Sequence, residues 1–388
     1  LLKTMYCKAV QGRPGPSWLD VPVDIQAQPI VQPMVSALRD AGQELDIELM
    51  QCHEKVAEEI IDKIREAKRP VIVAGTGVRI SDTVEDLQCL AESLNMPVTT
   101  AWTHDIFDND HELFAGRPGT IGTRAGNFVV QNADLVLVLG SRLNIRQISY
   151  NLGSFASKAK LIWVDIDPAE LKKPFPLPDM RVAADLSVFM PILVAEALKA
   201  KPGNDTQAWL FWCQDVKQRF SPKAKDYPVS KDRINVYHFV DRLFSYLRDD
   251  DIVVCGNASA TIVPFQIGRL KKDQRLISNS GCASMGYDLP AAIGCAIAAP
   301  SRRVICLAGD GSVMMNIQDL ITIKNYNLNV SIFLFENDGY LSIKQTQKNF
   351  FGRENGSSSS SGLLFPSFQY LAKACDIAFH KLDPKDYE

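Results

Sequence analysis

The sequence has no apolar stretch long enough to cross a bilayer. Its longest, Leu289–Pro300, falls well short of the roughly 20 residues that a membrane-spanning helix needs. Basic residues are not in excess either. Lys and Arg number 42 against 45 Asp and Glu, a formal net charge of -3 that gives no electrostatic footprint for a nucleic acid. Metal-binding cysteine pairs are missing: the nine cysteines include no C-x-x-C, and the five histidines show no zinc-ligand spacing. Cysteines inside apolar runs, such as Cys255 and Cys306, point to buried reduced thiols and so to a reducing compartment, the cytoplasm. What is left is an ordinary globular balance, 46% hydrophobic and 22% charged over 388 residues, with room for two or three domains.

Apolar runs ending in glycine or aspartate alternate with helical patterns, which predicts parallel sheets covered on both faces. The first set is "RPVIVAGTGV" (Arg69–Val78), Pro97–Trp102, "ADLVLVLGSR" (Ala133–Arg142) and "AKLIWVDIDP" (Ala159–Pro168), with helices over Val56–Ala67 and Ser81–Leu94. The second is "DDIVVCGNAS" (Asp250–Ser259), "RLISNSG" (Arg275–Gly281), "RRVICLAGDGS" (Arg302–Ser312) and "NVSIFLFENDG" (Asn329–Gly339). The fold class is therefore α/β, with two parallel-sheet three-layer domains, a central Rossmann-like one and a second at the C-terminal side, plus the tail of a third. The expected boundaries are 1–27 for that tail, 28–50 for a linker, 51–199 for the central domain, 200–235 for a second linker with some helix, and 236–388 for the last domain. In the tail, Leu1–Gln11 reads as a helix end and Ser17–Val23 as a short strand-like run. Gly352–Gly362, "GRENGSSSSSG", reads as a flexible low-complexity loop. Both chain ends read as cut.

Asp310 follows the run Val304–Ala308, Asn316–Tyr326 reads as a helix, and Val330–Phe335 is the next strand. The 27 residues from Asp310 to Asn337 are close to one βαβ unit, whose right-handed crossover returns the chain to a neighbouring parallel strand. Both side chains then emerge at the carboxyl edge of the sheet, where open α/β sheets bind ligands. One carboxylate, one amide oxygen and a carbonyl leave room around Mg²⁺ for phosphate oxygens and water. The amides of Gly311 and Ser312 suit an anionic phosphate. The competing reading is that Asp-Gly and Asn-Asp-Gly are plain turns.

"GDGS" followed at this distance by "ENDG" resembles the fingerprint of thiamine-diphosphate-dependent enzymes, GDG…NN, with Glu336 in place of the first Asn. The resemblance extends over nearly the whole chain to acetolactate-synthase-like enzymes. It makes "GRPGPSWLDVPVDIQ" the end of their pyrimidine-binding domain, and residues 236–388 their diphosphate-binding domain. It implies thiamine diphosphate and Mg²⁺, with Asp310, Asn337 and Gly339 on the metal. Cofactor contacts are implied at Gly256, Asn257, Ala258, Ala283, Ser284, Met285, Gly309, Asp310, Gly311, Ser312, Asn337, Gly339 and Tyr340. By the match with "SGCASMGYDLPAAIG" (Ser280–Gly294), the Ala283 carbonyl meets the exocyclic amine and Met285 wedges the two rings into a bent conformer. Core packing of Met285 and a turn role for Asn257 remain the plainer alternatives.

The resemblance further implies decarboxylation of a 2-oxo acid, pyruvate first, with carboligation to an acceptor carbonyl, in a homo-oligomer whose site lies between subunits. No nucleic acid or membrane is expected as a partner. The family's activating Glu belongs to the pyrimidine-binding domain, and none of Glu44, Glu48, Glu54, Glu58 or Glu59 follows a buried strand. The expectation is half a site and no turnover from this chain alone. True synthases carry Trp where this sequence has Thr346, and "SRLNIRQISYN" (Ser141–Asn151) departs from their Arg-Phe-Asp-Asp-Arg pattern. Both departures resemble relatives with an altered acceptor. FAD is a further candidate: "AGTGVR" (Ala74–Arg79), "GRPGTIGTRAGN" (Gly116–Asn127) and Arg142 are glycine-rich and cationic. A purely structural central domain with Arg117, Arg124 and Arg142 on a solvated face stands beside it. Rival readings are a 2-oxo acid decarboxylase of the same family, a non-catalytic fragment and an NAD-dependent oxidoreductase. The last lacks a G-x-G-x-x-G with an acid about 20 residues on.

Overall fold

A computed structural model describes residues 2–26, 28, 47–102, 105–201 and 203–384. Most of the linker expected over 28–50 lies outside the described residues.

The first sheet contains β1 (Pro70–Ala74), β2 (Val98–Thr100), β3 (Phe114–Gly116), β4 (Leu135–Leu139), β5 (Lys160–Asp165) and β6 (Met180–Ala183), in the order β3-β2-β1-β4-β5-β6. Every pairing is parallel. The strands PVIVA and LVLVL are buried at every position, because helices cover both faces. Ile47–Glu66, Val84–Ser93 and Leu186–Lys199 place Ile60, Leu87 and Phe189 in the core on one side. On the other side Arg124–Asn132 joins Gln207–Phe220, whose Trp209, Cys213 and Val216 are buried. Much of the stretch expected to link the domains is thus a helix packed on the central sheet.

The second sheet holds β7 (Ile252–Cys255), β8 (Arg275–Ser278), β9 (Val304–Gly309) and β10 (Val330–Phe335), in the order β10-β9-β7-β8, again all parallel. Val236–Ser245 and Ser259–Ile267 cover one face, while Asp288–Ala298 and Asp319–Asn325 cover the other. The chain runs from β7 outward to β8, then crosses to β9 on the opposite side. The order therefore reverses between β7 and β9, which makes that edge a topological switch point.

Several expectations differ in detail. Ser17–Val23 forms no strand; a helical turn, Val23–Gln26, follows instead. Strands β3 and β6 have only three and four residues, too short to stand out by periodicity. The serine-rich segment is an ordered knot. Ser357 and Ser358 are fully buried, and the Ser361 hydroxyl accepts the amides of Ser357 at 3.0 Å and Ser358 at 2.9 Å. Serine hydroxyls add to the backbone bonds of this turn, such as that from the Gly356 amide to the Ser361 carbonyl at 2.7 Å.

Candidate cofactor site

Parallel pairing sets Phe335 of β10 opposite Gly309 of β9, so the residues that follow emerge side by side. Asp310 is buried. Its Oδ1 accepts the Gly311 amide at 2.7 Å, and its Oδ2 accepts those of Asn337 at 2.9 Å and Gly339 at 3.0 Å. The acid expected to share an ion with Asn337 thus already touches the loop that bears it. The Asn337 Oδ1 is buried and has no hydrogen-bond partner, an unmet acceptor of the kind that calls for an explanation.

The turn after β10 is held from outside by the serine knot. Ser357 carbonyl accepts the Tyr340 amide at 3.0 Å, and the Asp338 carboxylate accepts the Ser359 amide at 3.2 Å; the Ser359 hydroxyl first, then this amide, holds its pKa below the usual value. Gly339 has φ +117, and a Cβ there would stand 2.4 Å from the Ser357 oxygen, so only glycine suits the position. The Tyr340 ring lies over Gly311, where a Cβ would meet it at 2.3 Å. Glu336 and Asp338 are exposed.

Gly256, Asn257 and Ala258 follow β7. Ala283, Ser284 and Met285 lie in the loop after β8. Asn257 Nδ2 donates to the Ala283 carbonyl, which joins two residues given separate cofactor roles. Both loops are strained at non-glycine positions, Ala258 with φ 50 and Ala283 with φ 53. Met285 is 40% exposed and so is not a core side chain. The Ser312 hydroxyl accepts the Gly286 amide at 2.9 Å, and Asn316 Nδ2 donates to the Gly286 carbonyl at 2.6 Å. Sequence reasoning passed over Asn316, Asp288 and the serine knot. A lone acid heading the apolar run "DLPAAIG" was the signal for Asp288.

All thirteen residues expected around the cofactor therefore lie at or just beyond the C-terminal ends of β7, β8, β9 and β10. Two profiles of known proteins match the chain: "Thiamine pyrophosphate enzyme, central domain" over 57–193 and "Thiamine pyrophosphate enzyme, C-terminal TPP binding domain" over 256–387. The chain belongs to the thiamine pyrophosphate enzyme family. Relatives of this family member include a probable acetolactate synthase large subunit of Methanococcus aeolicus, 30% identical over 99% of this chain and 65% of the relative. Acetolactate synthase 1, chloroplastic, of Nicotiana tabacum is 29% identical over 100% of this chain and 58% of its own length. Acetolactate synthase isozyme 1 large subunit of Escherichia coli is 32% identical over 88% and 58%. The chain thus spans less than two thirds of the length of these relatives.

The residues present fit a divalent cation. Among the described residues no group of three or more His, Cys, Asp or Glu could hold a metal, so an ion at Asp310 would draw on amide and carbonyl oxygens. The orphaned Asn337 Oδ1 would supply the first of these. Several of the residues named for FAD are engaged by the protein itself. Arg117 is buried and donates to Asn109 Oδ1, to the Phe265 carbonyl at 3.1 Å and to the Gly268 carbonyl at 3.4 Å. Arg142 is paired with Glu170 at 2.8 Å, and Arg124 stacks over Phe128 and Phe220. A Cβ on Gly75 or Gly77 would strike the backbone of Gly140 at 2.4 and 2.6 Å, so these glycines serve close packing. Of the glutamates, Glu54, Glu58 and Glu59 lie exposed on their helix, and Glu44 falls outside the described residues.

Proposed function

We propose that this thiamine pyrophosphate enzyme-family chain holds thiamine diphosphate through Mg²⁺ at the junction of β9 and β10, and serves decarboxylation of a 2-oxo acid with carboligation to an acceptor carbonyl. The observation that carries the reading is the Asp310–Asn337 contact beside an unpaired, buried amide oxygen. Asp310, Asn337 Oδ1 and the Gly339 carbonyl are the metal ligands. Gly309 and Gly311 let the diphosphate approach the backbone. When bound, thiamine diphosphate supplies the carbon nucleophile that such chemistry requires. Met285, exposed on a strained loop, gives the rings a flexible apolar support. Asn257 can exchange its bond to the Ala283 carbonyl for one to the diphosphate, which frees that carbonyl for the aminopyrimidine.

Pyruvate is the proposed donor. Position 346 bears a threonine whose hydroxyl donates to the Ser342 carbonyl at 3.0 Å, so no large ring narrows an acceptor space there. An altered acceptor, or simple protonation in a decarboxylase, uses the same ligands. The proposed assembly is a homo-oligomer in a reducing compartment. Described cysteines are free, with burial raising the thiol pKa of Cys255, Cys213 and Cys306. Among the described residues no helix is long and apolar enough to cross a membrane.

Calorimetric titration with thiamine diphosphate tests the reading. Binding is expected with Mg²⁺ and not with a chelator, and Asp310→Ala should weaken it about 100-fold or more, beyond what loss of an outer partner costs. Equal affinity in Asp310→Ala rules out the metal assignment. Product analysis with pyruvate and varied aldehyde or 2-oxo acid acceptors then separates ligation from simple decarboxylation.

A further inference from the structure

Asp288 begins the helix Asp288–Ala298 and is fully buried. Among the described residues no Lys, Arg or His pairs with its carboxyl. Its Oδ1 accepts the Leu289 amide at 3.0 Å, whereas Oδ2 makes no hydrogen bond. Burial raises the pKa of this acid, against smaller opposing pulls from the Ser312 hydroxyl and the nearby amides. A lone buried carboxyl is costly, and an apolar residue of similar size would ordinarily be the more stable choice.

Its surroundings account for its presence. A Cβ added to Gly256 would sit 2.6 Å from Asp288 Oδ2 and 3.3 Å from its Cβ, so the acid is in direct contact with the loop after β7. The Ser312 hydroxyl acts on the same carboxyl from the turn after β9 and accepts the Gly286 amide at 2.9 Å from the loop after β8. A hydroxyl has one proton. Turned toward Asp288, it leaves a lone pair for Gly286. The loop after β7 thus meets Asp288 directly, while Ser312, beside the same carboxyl, ties the turn after β9 to the loop after β8.

We propose that Asp288 is a positioning residue for the cofactor's diphosphate: its buried carboxyl spaces the Gly256 loop from the Ser312 turn and, through Ser312, fixes the Gly286 backbone that carries Met285. The role rests on the thiamine diphosphate reading. Shape and an acceptor are what the position needs, so the neutral isostere Asn serves and Ala does not. The contact with Gly256 also makes the two positions interdependent. Gly256→Ala is harmful because it strikes the carboxyl, and less so once the carboxyl is gone.

The test is calorimetric affinity for thiamine diphosphate in Mg²⁺, with melting temperature measured in parallel. Asp288→Asn should stay within about threefold of the wild type, and Asp288→Ala should lose about tenfold or more, as for loss of an outer-shell support. Gly256→Ala on the Asp288→Ala background should cost less affinity than on the wild type. If Asp288→Ala fails to fold, Asp288→Ser takes its place with the same loss expected. An alanine or serine variant that binds as the wild type does, with only its melting temperature lowered, overturns the positioning role. Additive effects at 256 and 288 overturn the spacing. A wild type that does not bind thiamine diphosphate sinks the cofactor reading itself, an outcome separate from either.

Discussion

Both sheets contain a topological switch point, at β1/β4 in the central sheet and β7/β9 in the second, and both have glycines just beyond it. The crevices differ. In the central sheet the Gly75 amide donates to the Leu139 carbonyl and the Gly77 amide to the Gly140 carbonyl, both at 2.9 Å. Backbone meets backbone, and the gap is closed. In the second sheet the Gly256 amide likewise donates to the Leu307 carbonyl, at 2.8 Å, but a Cβ there would first strike the Asp288 carboxyl, and Gly309 faces open space, with nothing within 4 Å of an added Cβ. Strain does not separate the two edges: Leu143 and Ser149 have positive φ at one, Ala258 and Ala283 at the other. What separates them is whether a glycine is needed by the protein's own backbone or by something beyond it.

The comparison assigns stability to the central loops and binding to the loops of the second sheet, and Arg117 is the sharpest place to break it. Its guanidinium joins the loop after β3 to the Phe265 and Gly268 carbonyls of the second unit, and Asn109 Oδ1, which it also bonds, accepts the Leu270 amide at 2.9 Å. No carboxylate meets it, and burial pushes its pKa down to about 9. Arg117→Ala removes three buried, charge-assisted hydrogen bonds, a loss of about 3 kcal/mol or more. Chemical denaturation should show that loss, while the dissociation constant for thiamine diphosphate stays at the wild-type value at temperatures where the variant is folded. A weakened affinity would mean that the central loops belong to the site.

The long apolar strands were legible because burial on both faces writes them as continuous Val, Ile and Leu runs, and β1, β4, β5, β7, β9 and β10 fall within the expected segments. The Asp310–Asn337 pairing was legible because the length of a βαβ crossover fixes where its ends meet. The flavin reading is weak for a physical reason. A glycine that admits a ligand and one that admits a neighbouring backbone look the same in sequence, and Arg117 differs from a surface arginine largely through carbonyl partners about 150 residues away. The serine knot was missed because low complexity predicts flexibility unless hydroxyls happen to close on one another. Asp288 escaped notice because its meaning lies in Gly256 and Ser312, neither of which is near it in sequence.

Lys217 sharpens the comparison through pH. It projects from the helix Gln207–Phe220, with its Nζ 3.0 Å from the Asn109 carbonyl and 5.0 Å from the centre of the Phe114 ring. Burial lowers its pKa from 10.5 to about 8. Arg117 and Arg269 add to the effect, while Asp110 and Asp108 oppose it. Between those two values the unfolded chain keeps a proton that the folded chain has released. Stability from this group therefore rises as pH increases from about 8 to 10.5, and its cost is full below 8. Relative to Lys217→Met, the wild type should gain on the order of 1 kcal/mol across that window. Denaturation midpoints at several pH values measure it. A constant difference between the two proteins would show that the buried amine is not desolvated.

The smallest effect is expected at Arg13, which ties the N-terminal segment to Asp167 at 2.6 Å and Glu170 at 3.0 Å. Glu170 is buried and is also met by Arg142 and Lys173. Burial works against its charge, but the hydrogen bonds from Lys173, Arg13 and Arg142 outweigh it, so its pKa is lowered. Arg13 is itself partly exposed, so Arg13→Ala should cost under about 1 kcal/mol, less still in high salt. Hydrogen exchange should then speed up over residues 2–16 and not in β5, because two cations still hold Glu170. If exchange instead quickens around Arg142, the cluster depends on all of its members. In that case Arg142, whose side chain is 58% exposed, holds Glu170 less firmly than its pairing implies, and the contrast between a closed central crevice and an open one in the second sheet narrows at that arginine.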